Sequence, residues 1–191
     1  MERERARLCE IIREKSWKEG EFTLTSGKKS SFYIDCKQTT LSAEGAYLCG
    51  RLMYKKIAAS VSRIDAVGGM TLGADPLVTA VSIASFLEKK PIPAFIIRKE
   101  PKGHGTATWL EGMSNIPDGG NVALVEDVVT TAGTLIKAIK RTEEAGYRVA
   151  MVLTVVDREE GGRELLEKEG YALEALLTKT EIRQPGETSH A

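Results

Sequence analysis

The stretch that decides the fold is Val122-Ala-Leu-Val-Glu126-Asp127-Val-Val-Thr130-Thr131-Ala132-Gly133-Thr134. An apolar run ends in two adjacent acids, a short hydroxyl-rich turn follows, and residues 135–140 have helical spacing. This order predicts a buried strand, a loop and the start of a helix. The loop offers backbone N–H groups, three hydroxyls and the positive end of a helix dipole, which together suit a phosphate. Open α/β sheets bind ligands at the carboxyl ends of their strands, where the two acids stand.

Acids at strand ends and threonines at helix starts also occur as ordinary N-caps. Here the acidic pair, the Thr-Thr-Ala-Gly-Thr run and the flanking apolar residues occur together, which favours a ligand site over a structural cap. No Gly-Lys-Ser/Thr ends the loop, so it differs from a Walker-type phosphate loop. The stretch therefore predicts one motif that holds a phosphate on one side and sugar hydroxyls on the other.

Length and composition restrict the class of protein. The 191 residues, 42% of them hydrophobic, suffice for one domain with a real core. Lys+Arg and Asp+Glu are both 27, and this zero net charge argues against general nucleic-acid or anionic-membrane binding. No apolar run approaches the ~18 residues of a membrane span, and the charged N-terminus is not a secretory signal. Three cysteines without CxxC spacing predict reduced thiols in a cytoplasmic protein, with Cys9 and Cys49 as small core residues on helices.

Helices and strands are predicted to alternate along the chain. Apolar residues with helical spacing predict helices over 2–18, 43–60, 76–89, 132–145 and 162–168. Short apolar runs predict strands over 32–35, 64–69, 93–97, 121–126, 148–156 and 171–177. This β-α-β alternation predicts an α/β fold with a parallel sheet wrapped by helices. We expect a single domain with an N-terminal segment over about 1–40, a core over about 41–180 and a polar tail over about 181–191.

Three further stretches carry residues suited to ligand chemistry. Gly68-Gly69-Met70-Thr71-Leu72-Gly73-Ala74-Asp75-Pro76 lets the backbone approach an anion closely, although an ordinary strand-to-helix turn also explains it. Arg98-Lys99-Glu100-Pro101-Lys102-Gly103-His104-Gly105-Thr106 is typical of a mobile lid whose cations stabilise a leaving anion, rather than of a solvated surface. In Asp157-Arg158-Glu-Glu-Gly-Gly162, Arg158 offers a fork suited to a carboxylate, with a surface Arg–Glu pair as the alternative.

Together these stretches resemble the orotate phosphoribosyltransferases, within the type I phosphoribosyltransferase family, along nearly the full length of the chain. Residues 126–134 resemble the motif for phosphoribosyl pyrophosphate (PRPP), 98–105 the catalytic loop, 157–162 the strand end that contacts orotate, and 22–35 the hood over the base. The resemblance implies a central, mainly parallel sheet flanked by helices with a small N-terminal hood. It also implies that orotate and PRPP react, with Mg²⁺, to give orotidine 5′-monophosphate and pyrophosphate in de novo pyrimidine synthesis.

By matched position, the resemblance implies a role for each site residue. Ribose hydroxyls would bind Glu126 and Asp127, and the 5′-phosphate would bind Thr130, Thr131, Ala132, Gly133 and Thr134. Pyrophosphate would contact Arg98, Lys99, Lys102, His104, Thr71, Leu72 and Gly73. The groups expected to act in catalysis are Lys99, Lys102, His104 and Asp127. Orotate would contact Tyr33, Ile34, Thr130 and Arg158. No direct metal ligand is expected, since PRPP would hold Mg²⁺, with Glu126 and Asp127 reaching it through ribose or water.

The resemblance also implies a homodimer in which the catalytic loop reaches the neighbouring subunit's site. Two positions depart from the family pattern. Thr25 stands where many members carry a hood lysine, with Lys28 or Lys29 as candidates to replace it. Gly73 stands where many carry a lysine, so residues 71–74 would contact pyrophosphate through their backbone alone.

Two alternative functions remain open from the sequence. A purine-type phosphoribosyltransferase would share the PRPP motif but not the Lys-x-x-Lys-x-His lid or the carboxylate-binding Arg158. A PRPP-sensing regulator would bind without catalysis and usually adds a nucleic-acid surface. The zero net charge weighs against that second alternative.

Overall fold

The structure is a computed structural model that describes residues 1–23, 29–101 and 109–184. Eight strands lie in these ranges: β1 Trp17–Thr23, β2 Lys29–Ile34, β3 Ala66–Met70, β4 Ala94–Ile97, β5 Leu110–Glu111, β6 Asn121–Val129, β7 Arg148–Asp157 and β8 Leu173–Thr178. The helices there are α1 Glu2–Lys15, α2 Lys37–Thr40, α3 Ala43–Ala58, α4 Asp75–Leu87, α5 Gly133–Glu144, α6 Gly162–Lys168 and α7 Lys179–Arg183, with a 3-10 turn at Met113–Asn115. None of these helices has the length and apolar character needed to cross a bilayer.

A six-stranded sheet in the order β5-β4-β3-β6-β7-β8 forms the centre of the molecule. Its strand pairs are parallel except β4–β5, which is antiparallel. From β3 the chain moves outward to β4, and then returns to place β6 on the other side of β3. Strand order therefore reverses between β3 and β6, and their following loops leave a crevice at the carboxyl ends of both strands.

Both faces of the sheet are buried, which explains why its strands read as continuous apolar runs. Alternate residues of β6 point to opposite faces, so Ala123 and Val125 pack in one cluster while Val122 and Leu124 pack in the other. Helices α1, α3 and α4 cover the first face, and α5 and α6 cover the second. The predicted α/β fold is confirmed.

A separate antiparallel hairpin, formed by β1 and β2, makes the N-terminal hood. The prediction of a helix through residue 18 was wrong, because α1 ends at Lys15 and Trp17 begins β1. The Ser16 amide closes the last helical turn on the Ile12 carbonyl, and the Ser16 carbonyl accepts from the Asp35 amide of the hairpin. Trp17 then stacks on Phe32 of β2 with 4.7 Å between ring centroids.

Strand β6, which carries the acidic pair, is longer than the sequence predicted. β6 was predicted over 121–126 but continues to Val129, so the acidic pair lies inside the strand rather than after it. Pairing with β7 extends as far as Val129 opposite Asp157, which holds this end of the strand in the sheet. The short elements β1, β5, α2 and α7 were not predicted, since each carries too few residues for a periodic pattern.

Candidate active site

The acidic pair of β6 stands at the carboxyl edge of the sheet, beside the crevice. Glu126 is 7% exposed, and Asp127 is half-buried. Burial, followed by the neighbouring Asp127 carboxylate, raises the pKa of Glu126 well above its ordinary value. The pair therefore resists carrying two full negative charges. Hydroxyl donors or a cation that satisfy these oxygens would stabilise the ionised form.

The loop after β6 presents unbonded amides at the start of α5. Ala132 precedes the helix in the left-handed conformation with φ 59°, and no side chain caps the helix. Within the described ranges, the first intrahelical bond of this turn runs from the Ile136 amide to the Ala132 carbonyl, 3.0 Å apart. The preceding amides are thus unbonded in this part of the structure, so the phosphate site predicted over residues 130–134 stays a prediction.

Gly162, the first residue of α6, supports this loop from behind. A Cβ at Gly162 would lie 2.8 Å from the Thr130 carbonyl oxygen and 3.2 Å from the Ala132 amide nitrogen. The Arg158 amide also donates to the Val129 carbonyl at 2.9 Å, which ties the end of β7 to the end of β6. The loop over residues 130–132 therefore rests closely on Gly162, beside the Val129 side chain at 2.6 Å from the same Cβ position.

A cleft of about 500 Å³ opens beside the loop, a size ordinary for a small-molecule site. It brings together predicted ribose, phosphate and orotate residues. The lining residues are Tyr33, Glu126, Val128, Val129, Thr130, Thr131, Ala132, Gly133, Thr134, Leu135, Lys137 and Arg158. Lys137 was not singled out from the sequence, since a lysine on a helix surface is usually only solvated.

Arg158 is 4% exposed and is held in place from two sides. Its Cζ lies 4.7 Å from the centroid of the Phe32 ring, and its Nε and Nη2 donate to Glu160 Oε1 at 3.1 and 2.8 Å. Phe32 was missed as a site residue, because its spacing in the hood strand indicates only an apolar position. In the structure the Trp17–Phe32 stack forms a platform under the guanidinium.

The two hood residues predicted to meet a base differ in their placement. Tyr33 is partly exposed and lines the cleft. Ile34 is 6% exposed and packs in the core under α1 and α3, because successive residues of a strand point to opposite sides. Only the backbone of Ile34 remains for contact with a base.

The glycine-rich loop after β3 lies against the acidic pair. The Thr71 amide donates to the Ile97 carbonyl at 2.9 Å and the Ala74 amide to the Met70 carbonyl at 3.3 Å. Within the described part of the chain, the amides of Leu72 and Gly73 have no such bond, so the predicted anion nest reduces to these two donors. The Thr71 hydroxyl also donates to Asp75 Oδ2 at 2.7 Å, which leaves it turned toward α4.

Gly73 cannot carry a side chain without moving Asp127. A Cβ built there would lie 2.6 Å from Asp127 Oδ1, which itself accepts from the Val128 amide at 2.9 Å. This contact gives a physical reason for glycine where the family pattern has lysine. The carboxylate of Asp127 fills the space that such a side chain needs.

The predicted catalytic loop is described only at its two ends. Arg98 donates from Nη1 to Glu111 at 3.1 Å and from Nε to the Glu100 carbonyl at 3.2 Å, so its guanidinium lies along the β4–β5 edge. Lys99 is exposed, and its charge acts on Glu126 in the direction that opposes the raised pKa. Lys102 and His104 lie outside the described residues, as do Thr25 and Lys28.

One cation near the acidic pair was not found from the sequence. Lys37 Nζ lies 2.8 Å from Asp35 Oδ1 at the end of the hood. This hydrogen bond raises the pKa of Lys37 despite partial burial, and the charge of Asp127 acts in the same direction. The only sequence signal was the Asp-x-Lys spacing directly after a strand.

Comparison with known proteins accounts for this arrangement. A model of the phosphoribosyl transferase domain matches residues 39–184. Orotate phosphoribosyltransferase from Nostoc sp. is 46% identical over 180 residues, covering 94% of this chain and 85% of that one. The enzyme of that name from Aquifex aeolicus is 46% identical over 182 residues, covering 94% and 97%. This chain belongs to the orotate phosphoribosyltransferase family. The resemblance drawn from the motifs is confirmed.

Solved structures agree on the fold. Orotate phosphoribosyltransferase from Mycobacterium tuberculosis, in a complex with Fe(III) dicitrate, superposes with a TM-score of 0.82 at 36% identity, covering 95% of this chain and 99% of that one. The same enzyme in complex with PRPP gives 0.78 at 34% identity, with the same coverage. The fold is therefore that of a type I phosphoribosyltransferase.

The contact between Gly73 and Asp127 predicts that a lysine at position 73 lowers activity, although charge complementarity alone would predict a gain. Gly73→Lys adds a cation beside the anion site, yet its Cβ must displace the Asp127 carboxylate. We expect kcat/KM for PRPP to fall roughly 10-fold or more, since small misplacements of a reacting group are costly. Leu72→Lys is the matched control, because Leu72 is exposed and accepts the same charge without this clash. The test is steady-state kinetics of both variants. A kcat/KM for PRPP in Gly73→Lys that equals or exceeds the value in Leu72→Lys would contradict the importance of this contact.

Proposed function

We propose that this protein transfers the ribose 5-phosphate of PRPP to orotate, giving orotidine 5′-monophosphate and pyrophosphate in pyrimidine synthesis. The observation that carries the proposal is the position of the buried Arg158, a carboxylate-binding group, in the same cleft as the uncapped start of α5 and the acidic Glu126. Orotate differs from uracil by its carboxylate, and a planar guanidinium fork suits that group. Arg158 already donates to Glu160 from Nε and Nη2, so a substrate carboxylate would bind at Nη1 or take the place of Glu160.

The cleft orders the parts of the two substrates. The amides at the start of α5 suit the 5′-phosphate, and the acids Glu126 and Asp127 suit the ribose hydroxyls next to it. The base would then lie by Tyr33 and Arg158, which line the same cleft. Pyrophosphate would lie on the other side of Asp127, toward the amides of the glycine-rich loop that touches this residue. Attack by the base from one side and departure of pyrophosphate on the other follows from this order.

The residues of the site fit a requirement for Mg²⁺ that arrives with the substrate. Among the described residues there is no group of three or more His, Cys, Asp and Glu side chains placed to hold a metal ion. Mg²⁺ commonly binds substrate phosphates and keeps several waters, so PRPP would hold the ion while Glu126 and Asp127 reach it through the ribose hydroxyls or water. When bound, the ion would offset the charge of the pyrophosphate.

The chain's own contribution to the reaction is orientation and electrostatic stabilisation. The transition state should resemble a ribosyl cation, which the carboxylates beside the ribose would stabilise, while cations of the lid would stabilise the departing pyrophosphate. A thiol nucleophile does not fit. Burial raises the pKa of Cys9 and of Cys36, and it raises the pKa of Cys49 to about 12, so none of them is poised as a thiolate. These free cysteines suit the reducing cytoplasm.

The alternatives receive less support. Adenine phosphoribosyltransferase from Leishmania donovani superposes with a TM-score of 0.68, but at 16% identity this likeness concerns the fold alone. A regulator that binds PRPP without catalysis would need neither a buried Arg158 nor a cationic lid. Arg158, placed at the base end of the cleft, favours the orotate reaction over both.

A substrate panel tests the proposed function. With PRPP and Mg²⁺ we expect turnover of orotate, and none of uracil, adenine, guanine or xanthine, because Arg158 pairs with a carboxylate that the others lack. Addition of EDTA in excess should abolish turnover. Product formation is followed by absorbance and checked by mass spectrometry. Turnover of a purine without turnover of orotate would sink the proposal.

The role of Arg158 has a kinetic test. Arg158→Ala should raise KM for orotate by roughly 10-fold or more, as expected for a hydrogen bond to a charged group worth about 1.5 kcal/mol or above. PRPP affinity by calorimetry should stay nearly constant. Lys179→Ala serves as the control, since its Nζ lies 5.8 Å from the Phe32 ring and outside the cleft lining. If PRPP affinity fell as far as orotate affinity, Arg158 would not be a base-specific group.

We further propose that the protein is a homodimer that uses the surface of α3 and α4. Leu87 is 69% exposed and stands with exposed Tyr47 and Ile83 around an apolar groove between the two helices. Phe86, the residue before Leu87, is 70% exposed. Apolar side chains on the outer side of a surface helix mark a contact site. We propose that a second copy of this chain covers the groove. This occupant fits the family resemblance, which implies that the catalytic loop reaches the active site of the neighbouring subunit.

Complementation between two inactive variants tests loop sharing. Lys102→Ala removes the lid cation and Asp127→Asn removes the ribose-binding carboxylate. If the loop acts on the partner, a mixed dimer has one site lacking both groups and one intact site. Random pairing of equal amounts should restore up to about one quarter of wild-type activity, assuming independent sites. Absence of recovery, with subunit exchange verified by native mass spectrometry, would show that the loop serves its own subunit.

A further inference from the structure

Arg141, on the second half of α5, contacts both ends of the catalytic loop. Its Nη1 donates to the Arg98 carbonyl at 2.7 Å, and its Nη2 lies 3.4 Å from the Lys99 carbonyl. Its Cζ lies 3.7 Å from the centroid of the Trp109 ring. The first two contacts hold the entry to the loop, and the third holds its exit.

These two ends also bond to each other. The Arg98 amide donates to the Trp109 carbonyl at 2.8 Å, and the Arg98 side chain pairs with Glu111 at 3.1 Å. The segments 98–99 and 109–111 therefore form one stem under the loop. Arg141 is the residue of α5 whose side chain is bonded to this stem.

The contacts of Arg141 differ from those of a solvated surface arginine. Within the described ranges its guanidinium contacts two backbone carbonyls, the Met70 sulfur and an indole, and none of these partners is a carboxylate. A planar guanidinium can donate to carbonyls and stack on a ring at once, whereas an ammonium offers one compact charge. The arrangement fixes the direction of the backbone that carries Lys99, whose charge acts on Glu126.

Helix α5 connects this stem to the phosphate loop. Thr134, in its first turn, lines the cleft, and Arg141 follows about two turns later, roughly 10 Å along the axis. Ordered helices of this length bend little, so the start of α5 and the stem keep a fixed separation. The same rigid helix therefore carries the amides proposed to bind the substrate phosphate and the arginine that holds the loop stem.

We propose that Arg141 is a positioning residue for catalysis, which sets the stem of the catalytic loop relative to the phosphate site. The inference rests on the proposed orotate reaction. Arg141 does not touch substrate; it acts through the placement of residues 98–99 and of the loop that follows.

Kinetics of Arg141→Gln test this role. Glutamine keeps one amide donor but loses the second donor and the ring stack. We expect kcat to fall on the order of 10-fold, with KM for orotate changed less than 2-fold, because Tyr33 and Arg158 at the other end of the cleft remain in place. PRPP affinity should fall less than kcat, since the amides at the start of α5 are unchanged. Arg141→Lys should recover part of the loss, and Trp109→Leu should reproduce the effect from the other side of the contact. Lys140→Gln is the control, since Lys140 is an exposed cation on the same helix.

A double-mutant cycle separates positioning from a general loss of stability. If Arg141 acts through the loop, Arg141→Gln combined with Lys102→Ala should be no slower than Lys102→Ala alone, whereas independent effects multiply. Unchanged kcat in Arg141→Gln, multiplying losses, or an equal loss in Lys140→Gln would each overturn the inference.

Limited proteolysis keeps the inference testable if the enzyme assignment fails. Trypsin should cut after Lys102 several-fold faster in Arg141→Gln than in Lys140→Gln, because the stem no longer restrains the loop. A wild-type protein inactive on orotate would refute the proposed function. The ratio of the two cleavage rates would still show whether Arg141 restrains the loop stem. Equal cleavage rates in the two variants would overturn it.

Discussion

The site depends on the pairing of two strands that are far apart in sequence. β3 and β6 lie side by side with Val67 opposite Ala123, and they end at the same edge of the sheet. Neighbouring strands are only about 4.8 Å apart, so the loop after one strand must touch the residues at the end of the other. That spacing puts the glycine-rich loop against Asp127. A pyrophosphate and a ribose can therefore share this edge, as consecutive parts of one molecule do.

Three glycines preserve the short distances on which this edge depends. Gly68 lies under the Phe95 ring in the sheet, Gly73 lies against Asp127, and Gly162 lies under the phosphate loop. At each position a Cβ would come within 3 Å of a neighbouring atom, a distance that real contacts do not reach. The constraint is steric rather than conformational, since none of these glycines has a left-handed φ. The geometry of the site is thus set by the absence of side chains as much as by those present.

The sequence predicted the fold class and the family, because the features that carry them are local. An apolar run, two acids and a hydroxyl-rich helix start follow one another within residues 122–134. The roles of Phe32, Lys37 and Arg141 could not be read in the same way. Phe32 and Arg141 contact partners distant along the chain, Arg158 and Trp109 respectively, and Lys37 feels the charge of the distant Asp127. Spacing carries no information on which side chains come together across a fold. Trp17 was assigned to a helix for a related reason, since one residue at the end of a periodic run fits either element.

The placement of the indole rings has a spectroscopic consequence. The chain has two tryptophans. Trp17 stacks on the ring that supports Arg158, at the end of the cleft where a base would bind, while Trp109 lies under Arg141 at the loop stem. Each indole therefore reports on a different part of the fold, the first on the hood beside Arg158 and the second on the stem beside Arg98. Replacing either one with phenylalanine leaves a single indole, so changes at the hood and at the stem can be followed as separate optical signals without any attached dye.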